Sequence, residues 1–313
     1  MNILLKLYFI LPHDRSFGFF SKTVNRIVAL FLKSIFDLFI PNYFLKSQKY
    51  FPCGLNKRPR DTKVLVSFTS FPARIQDVWI VVECLFRQNF KADKIVLWLS
   101  RDEFQGIKLP EKLMSQCDRG LEIVYVDDNL SSHKKYYYAV EKYVDWVIIT
   151  VDDDVYYHKN VLSALVEAHL KFPNFIIANR AHEITFDEKT GFVMPYRNWK
   201  HNIKKDFSSF LLVPTGVGGV LYPPKTLSKD ILNPGIFKSI CLYADDLWLK
   251  IGSLKTKTKV YSTSFYKQEF ISVGNTQKTK LVTRNSLNGE NDVQFKNLLE
   301  YFKLGNLEEF RKT

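Results

Sequence analysis

Trp146-Val147-Ile148-Ile149-Thr150-Val151, followed at once by Asp152-Asp153-Asp154, is the stretch on which the reading of this chain turns. The apolar run is short and rich in β-branched residues, so it reads as a strand covered on both faces rather than a helix. Three adjacent carboxylates at the end of such a strand repel one another unless positive charge lies among them. Their oxygens suit a hard cation, Mg²⁺ or Mn²⁺, of the kind that also binds substrate phosphates. The plainer alternative is a solvated acidic turn capping the helix expected from about Lys159.

Upstream, the same grammar repeats. Lys63 to Thr69, Lys94 to Leu99 and Leu121 to Val126 are apolar runs of strand length, while Gln76 to Arg87 and Lys134 to Tyr143 have helical spacing. Strands alternating with helix-length segments imply βαβ units, an α/β class and a mostly parallel sheet flanked by helices. Ligands of open α/β sheets lie beyond the carboxyl ends of the strands. The residues to inspect are therefore Thr69, Ser70, Phe71 and Arg74 after the first strand, and the three aspartates after the fourth.

Two stretches downstream add to this. Pro214-Thr215-Gly216-Val217-Gly218-Gly219-Val220-Leu221-Tyr222 carries glycines that let backbone approach a ligand closely. Their spacing is not that of a dinucleotide-binding turn, and a bulge in a core strand is the alternative. Leu242-Tyr243-Ala244-Asp245-Asp246-Leu247-Trp248 places two carboxylates at the start of a helical pattern, where they also complement the helix dipole. Lys134 and Lys135 open the helix before the fourth strand. Either can face an anion or solvent.

Together, Val66-Ser67-Phe68-Thr69-Ser70-Phe71-Pro72-Ala73-Arg74-Ile75 and Ile148 to Asp154 resemble the GT-A (Rossmann-like) glycosyltransferases, in particular bacterial capsule and lipopolysaccharide enzymes. The resemblance runs from about residue 63 to about 253. It implies a nucleotide-sugar donor, a glycan or lipid-linked acceptor, and a bound Mn²⁺ or Mg²⁺. It also implies that Asp154 and Asp152 hold the metal. Donor contacts would come from Thr69, Phe71, Arg74, Lys134, Lys135, Asp152, Asp153, Gly218 and Gly219. Asp246 is the implied general base, with Asp245 as the alternative, in a single inverting displacement. The loop Gly274 to Lys280 would close over the donor. One departure is that no histidine follows His201 to serve as a further metal ligand, which leaves Asn275 or Asp292 as substitutes. His133, beside Lys134, is a further donor-site candidate. Haloacid-dehalogenase phosphatases also carry Asp-x-Asp after a strand. Theirs lies on the first strand and is followed two residues later by Thr or Val, where this chain has Tyr156.

Composition bounds the partners. The formal charge of +13 favours an anionic partner, but the basic residues are dispersed and no nucleic-acid motif is present. Cys53, Cys84, Cys117 and Cys241 are too scattered for a zinc site or disulfide framework. Residues 1–60 read as an N-terminal amphipathic helical segment and linker, and residues 61–313 as the main domain, with a nucleotide-binding half (61–155) and an acceptor half (156–313). Val24 to Ile40 is a Phe- and Leu-rich helix with Arg26, Lys33 and Asp37 near one face. It suits a membrane interface or the protein's own core equally, with a linker from Pro41. Met1 to Leu11 is far shorter than the ~20 apolar residues of a membrane-spanning helix. The expected location is cytoplasmic, peripheral at the inner membrane face. Two other functions compete: nucleotidyl transfer, disfavoured by the absence of glycine after the first strand, and a non-catalytic membrane-associated glycan- or lipid-binding protein.

Overall fold

The apolar runs in the first half of the chain become strands, three of the four buried almost throughout, and the spaced patterns between them become the covering helices. The computed structural model describes residues 19–266, 270–274 and 289–311. Its helices are α1 (Phe19–Ser47), α2 (Val78–Phe86), α3 (Glu111–Met114), α4 (Lys134–Lys142), α5 (Val161–Lys171), α6 (Pro234–Ile240), α7 (Asp245–Lys255), α8 (Glu290–Tyr301) and α9 (Glu308–Arg311). Its strands are β1 (Val64–Thr69), β2 (Lys94–Ser100), β3 (Leu121–Val126), β4 (Val147–Thr150), β5 (Ile176–Ala178), β6 (Ala181–Glu183), β7 (Phe207–Ser209), β8 (Leu212–Pro214), β9 (Val220–Tyr222) and β10 (Val260–Ser262).

An eight-stranded sheet has the order β3-β2-β1-β4-β9-β5-β10-β7, and β6 pairs with β8 separately. From β3 to β4 all neighbours are parallel. β9 runs against both β4 and β5, and β7 runs against β10. The expected α/β class with a mostly parallel sheet is therefore what forms. Along β1, Val64, Val66 and Phe68 join the cluster that holds α1 and α2, while Leu65 joins the one beneath α4. Such two-sided burial is why the run shows no polar alternation. The chain steps from β1 to β2 on one side and to β4 on the other. The order reverses between β1 and β4, and it is beyond the carboxyl ends of strands at such a point that ligands of open α/β sheets bind.

The N-terminal helix is longer than expected. It continues through Pro41, the residue taken as the start of a linker, to Ser47. Proline removes one backbone donor from a helix and need not end it when packing holds both sides. Here Phe36, Ile40 and Phe44 are buried in the main core. Arg87 donates to the Phe44 carbonyl and the Ser47 hydroxyl beyond the proline. Before it, Lys33 pairs with Asp37. Among the described residues no helix is long and apolar enough to cross a membrane.

Candidate active site

Beyond β4 the three aspartates are not a solvated turn. Asp153 and Asp154 are buried, and each carboxylate in the run is met by a cation. Arg74, from the segment after β1, places Nη1 2.7 Å from Asp153 and 3.2 Å from Asp154. The Ser70 hydroxyl donates to the other Asp153 oxygen at 2.5 Å. Asp153 thus faces inward and joins the ends of β1 and β4. Burial disfavours the Arg74 cation, but Asp153 and Asp154 more than offset it and raise its pKa. Asp154 is pushed up to about 7, chiefly by burial, with Arg74 opposing and Asp152 and Asp153 adding to the rise. Its backbone is also held, because its carbonyl accepts from the Val273 amide at 2.8 Å.

Asp152 turns the other way, towards a second acidic pair. Lys135 Nζ lies 2.8 Å from Asp152 Oδ1 and 2.8 Å from Asp245 Oδ2. This lysine is buried at the start of α4, where its carbonyl accepts from the Ser67 hydroxyl of β1 at 2.5 Å. Burial works against its charge, yet Asp152, Asp245 and Asp246 together hold its pKa well above the ordinary value. Ala244 precedes α7, so Asp245 and Asp246 form the first turn of that helix. The Gly216 amide donates to both Asp246 oxygens, at 3.1 and 3.2 Å. Burial alone would raise both carboxyls. Lys135 overrides it for Asp245, which falls below the usual range. Asp246 is pushed up to about 8, by burial first and then by the ionised Asp245. The outcome is an ionised carboxylate beside one that titrates near neutrality.

The structure therefore gathers Arg74, Lys135, Asp152, Asp153, Asp154, Asp245 and Asp246 at one end of the sheet. It does not gather all the candidates. Lys134 turns away, with Nζ 2.6 Å from Glu103 and 3.1 Å from Asn129. The Thr69 hydroxyl donates to the Trp98 carbonyl at 2.7 Å, along β2. Phe71 lies under the Arg74 guanidinium, 5.2 Å from its ring centre. Gly218 packs against Arg180, and Gly219 against α5. Of the three glycines, Gly216 is the one facing the carboxylates, because a Cβ there would lie 2.6 Å from Lys135 Nζ. His133 is corrected outright as a donor-site candidate. It is fully buried, stacked on Phe237 at 4.1 Å, and bonded to the Tyr136 hydroxyl and Cys241 carbonyl. Burial lowers its pKa to about 4, so it serves as a neutral spacer beneath the Asp245 loop.

Two contributors escaped the sequence reading. Ser70 was noted only for its position. Tyr157 had no signal at all, yet its hydroxyl accepts from the Asp152 amide at 2.8 Å and donates to the Val217 carbonyl at 3.2 Å. It thereby ties the aspartate run to the glycine turn. Asp292 accepts from the Tyr196 amide. Asn275 and the rest of the expected closing loop lie outside the described residues.

Whether a divalent cation suits this place can be judged from the donors. Among the described residues no three His, Cys, Asp or Glu side chains converge into a ready cage. Asp154 and Asp152 supply hard oxygens, one beside Arg74 and the other beside Lys135. That set fits a Mg²⁺- or Mn²⁺-type ion whose remaining ligands are water and substrate phosphate.

No family model matches the chain. No curated protein matches it either. Three solved structures that are similar to parts of it are all distant. The mannosyltransferase PcManGT from Pyrobaculum calidifontis, in complex with GDP-Man and Mn²⁺, is 13% identical over 44% of this chain and 41% of that one, with a TM-score of 0.29. The 4-diphosphocytidyl-2C-methyl-D-erythritol synthase of Anaerococcus prevotii is 11% identical over 57% of this chain and 77% of that one, with a TM-score of 0.35. HddC from Yersinia pseudotuberculosis is 10% identical over 52% and 76%, with a TM-score of 0.33. The chain thus spans less than half the length of the mannosyltransferase.

Proposed function

We propose that the protein is a metal-dependent glycosyltransferase that moves a sugar from a nucleoside-diphosphate donor to a glycan or lipid-linked acceptor in bacterial surface-polysaccharide synthesis. The observation that carries this reading is the meeting of two carboxylate pairs around one buried lysine at the carboxyl ends of β1 and β4. One pair suits a cation and a diphosphate, and the other suits proton transfer.

In this reading Asp154 and Asp152 hold the cation. When bound, it would neutralise charge on the diphosphate as that group departs. Arg74 and Lys135 contribute fixed positive charge on either side of the aspartates, where donor phosphates come in. Asp246 accepts the acceptor hydroxyl's proton as that oxygen bonds to the anomeric carbon. The bond to the diphosphate breaks, and the nucleoside diphosphate leaves with the electron pair. Burial, and then Asp245 kept ionised by Lys135, raises Asp246 into the range of a working base near neutral pH. The Gly216 amide fixes the orientation of that base.

The test is thermal stability against UDP, GDP, CMP and dTDP, each with and without Mn²⁺, followed by product analysis. One diphosphate should raise the melting temperature only with the metal, by an amount equivalent to about 2.7 kcal/mol at a hundredfold excess over Kd. Asp154→Ala should remove that gain. Product analysis should find a released nucleoside diphosphate. Pyrophosphate released from a nucleoside triphosphate would instead establish nucleotidyl transfer. A folded protein stabilised by none of these ligands would sink the glycosyltransferase reading.

A further inference from the structure

The second apolar face of α1 has no covering among the described residues, and its surroundings say what would cover it. One side of the helix is spent on the core through Phe36, Ile40, Phe44 and Ser47. The opposite side presents Phe31, Leu38 and Phe39 at 64%, 62% and 58% exposure, then Tyr43, and Tyr50 just past the helix end at 71%. At 100° per residue Phe31, Leu38, Phe39 and Tyr43 fall within about 140° of the helix's outer surface, which they share with the exposed Asn42. A helix that carries apolar side chains on two faces normally has both of them covered. This one cannot roll its outer face inward, because it is pinned between Lys33 and Ser47. Asp37 accepts from the Gly274 amide at 3.0 Å and from the Tyr156 hydroxyl at 3.2 Å. Lys33 Nζ donates to the Gly274 carbonyl at 2.6 Å. Arg87 holds the far end at the Phe44 carbonyl and Ser47.

Charge selects the occupant. Asp37 is the one acidic residue of α1, and it is the residue turned inward by those bonds. On the outer side Lys46 shares the stripe with Phe39 and Tyr43. Lys49 follows at the helix end with its ammonium 5.1 Å from the Tyr50 ring centre. An apolar stripe with aromatic rings and lysines, and no carboxylate, matches the acyl–headgroup boundary of an anionic bilayer. We infer that α1 seats the protein on an anionic lipid surface through Phe31, Leu38, Phe39 and Tyr43, with Lys46 and Lys49 reaching the headgroups.

The inference stands apart from the glycosyltransferase reading, since it uses no residue of the site. The same bonds nevertheless tie the docking helix to the site. Gly274 and Tyr156 grip Asp37, and the segment between them and the aspartates is joined by the Val155–Ser272 bridge and the Val273 amide on Asp154. A seated helix would therefore hold the site at a fixed height above the lipid.

The experiment is flotation of the full chain with vesicles of phosphatidylcholine alone, or of phosphatidylcholine mixed with phosphatidylglycerol, at low and high salt. Binding should require the anionic lipid and weaken with salt. Lys46→Gln and Lys49→Gln should each reduce partitioning about fivefold. The triple change Phe31→Ser, Leu38→Ser, Phe39→Ser should reduce it about 100-fold or more. All five side chains are exposed, so unchanged melting curves would show that the fold is intact. The inference is overturned by a wild-type chain that stays off anionic vesicles, or by a triple variant that binds as well as wild type, which would credit residues 1–18. It is equally overturned by a dimer in sedimentation velocity that the triple variant dissolves, which would mean a second copy covers the stripe. Nucleotide binding enters none of these readouts, so failure of the proposed activity would be seen separately.

Discussion

Two neighbouring aspartates with the same side chain are driven apart by one lysine. Lys135 touches Asp245 and holds it ionised, and the negative charge left there helps push Asp246 up to about 8. If Asp246 is the base, it must lose its proton to act, so kcat/KM should climb through a limb near pH 8. Asp246→Asn should cost about 10²- to 10⁴-fold in rate while leaving metal-dependent nucleotide stabilisation intact. A variant with full activity, or with a limb unmoved from wild type, would remove Asp246 from that role. Lys250, on the same helix, is the contrasting case. It is fully buried, its ammonium has among the described residues one hydrogen bond, 3.4 Å to the Ser253 hydroxyl, and burial lowers its pKa to about 7. The unfolded chain binds that proton more tightly, so the lysine penalises folding fully below pH 7, and the penalty fades as pH rises towards the unfolded value near 10.5. Lys250→Met should therefore stabilise by on the order of 2 kcal/mol at pH 6 and by almost nothing at pH 11, as read by chemical denaturation. A gain independent of pH would point to packing instead. At this scale the sequence offered Lys134 and Lys135 as equals. Adjacent helical residues point about 100° apart, and only the docking of α4 on Ser67 decides which of them enters the site.

The turn between β8 and β9 shows how an element divides labour among its glycines. A Cβ on Gly218 would meet the Arg180 Cβ at 2.8 Å and its backbone nitrogen at 3.1 Å, so the obstruction is rigid. A Cβ on Gly216 would meet the tip of Lys135 at 2.6 Å, with Asp152 and Asp246 oxygens at 3.1 and 3.3 Å. The lysine tip can swing aside, but the charge arrangement cannot then survive. Gly218→Ala should chiefly lower stability, by about 1–3 kcal/mol. Gly216→Ala should weaken nucleotide-dependent stabilisation at least tenfold, or about 1.4 kcal/mol, on top of the stability lost as buried carboxylates lose Lys135. An unchanged nucleotide response in Gly216→Ala, or a lost one in Gly218→Ala, would contradict this division. The sequence drew attention to the stretch because its glycines are dense. It favoured Gly218 and Gly219, since only the fold reveals that Gly216 faces the carboxylates.

Across the whole molecule, legibility follows strand length and contact distance. β1 to β4 run four to seven residues and lie in consecutive βα units, with β1, β2 and β4 buried on both faces and the edge strand β3 partly so, so each announces itself as an apolar run. β5, β7, β9 and β10 have three residues each, too few for a period, and β9 wedges between β4 and β5 from far along the chain. The acidic pairs were visible as pairs, but that Lys135 joins them across more than a hundred residues was not. The N-terminal helix was legible as a helix and misread at Pro41, because the bonds that carry it past the proline come from Arg87. That last feature bears on how the polypeptide may be cut. Phe36, Ile40 and Phe44 are bricks of the same core as β1 and α2. A recombinant fragment begun at residue 61, the natural choice for someone isolating the part that resembles an enzyme, would strip one wall from that core. What precipitated in the tube would be an artefact of the scissors.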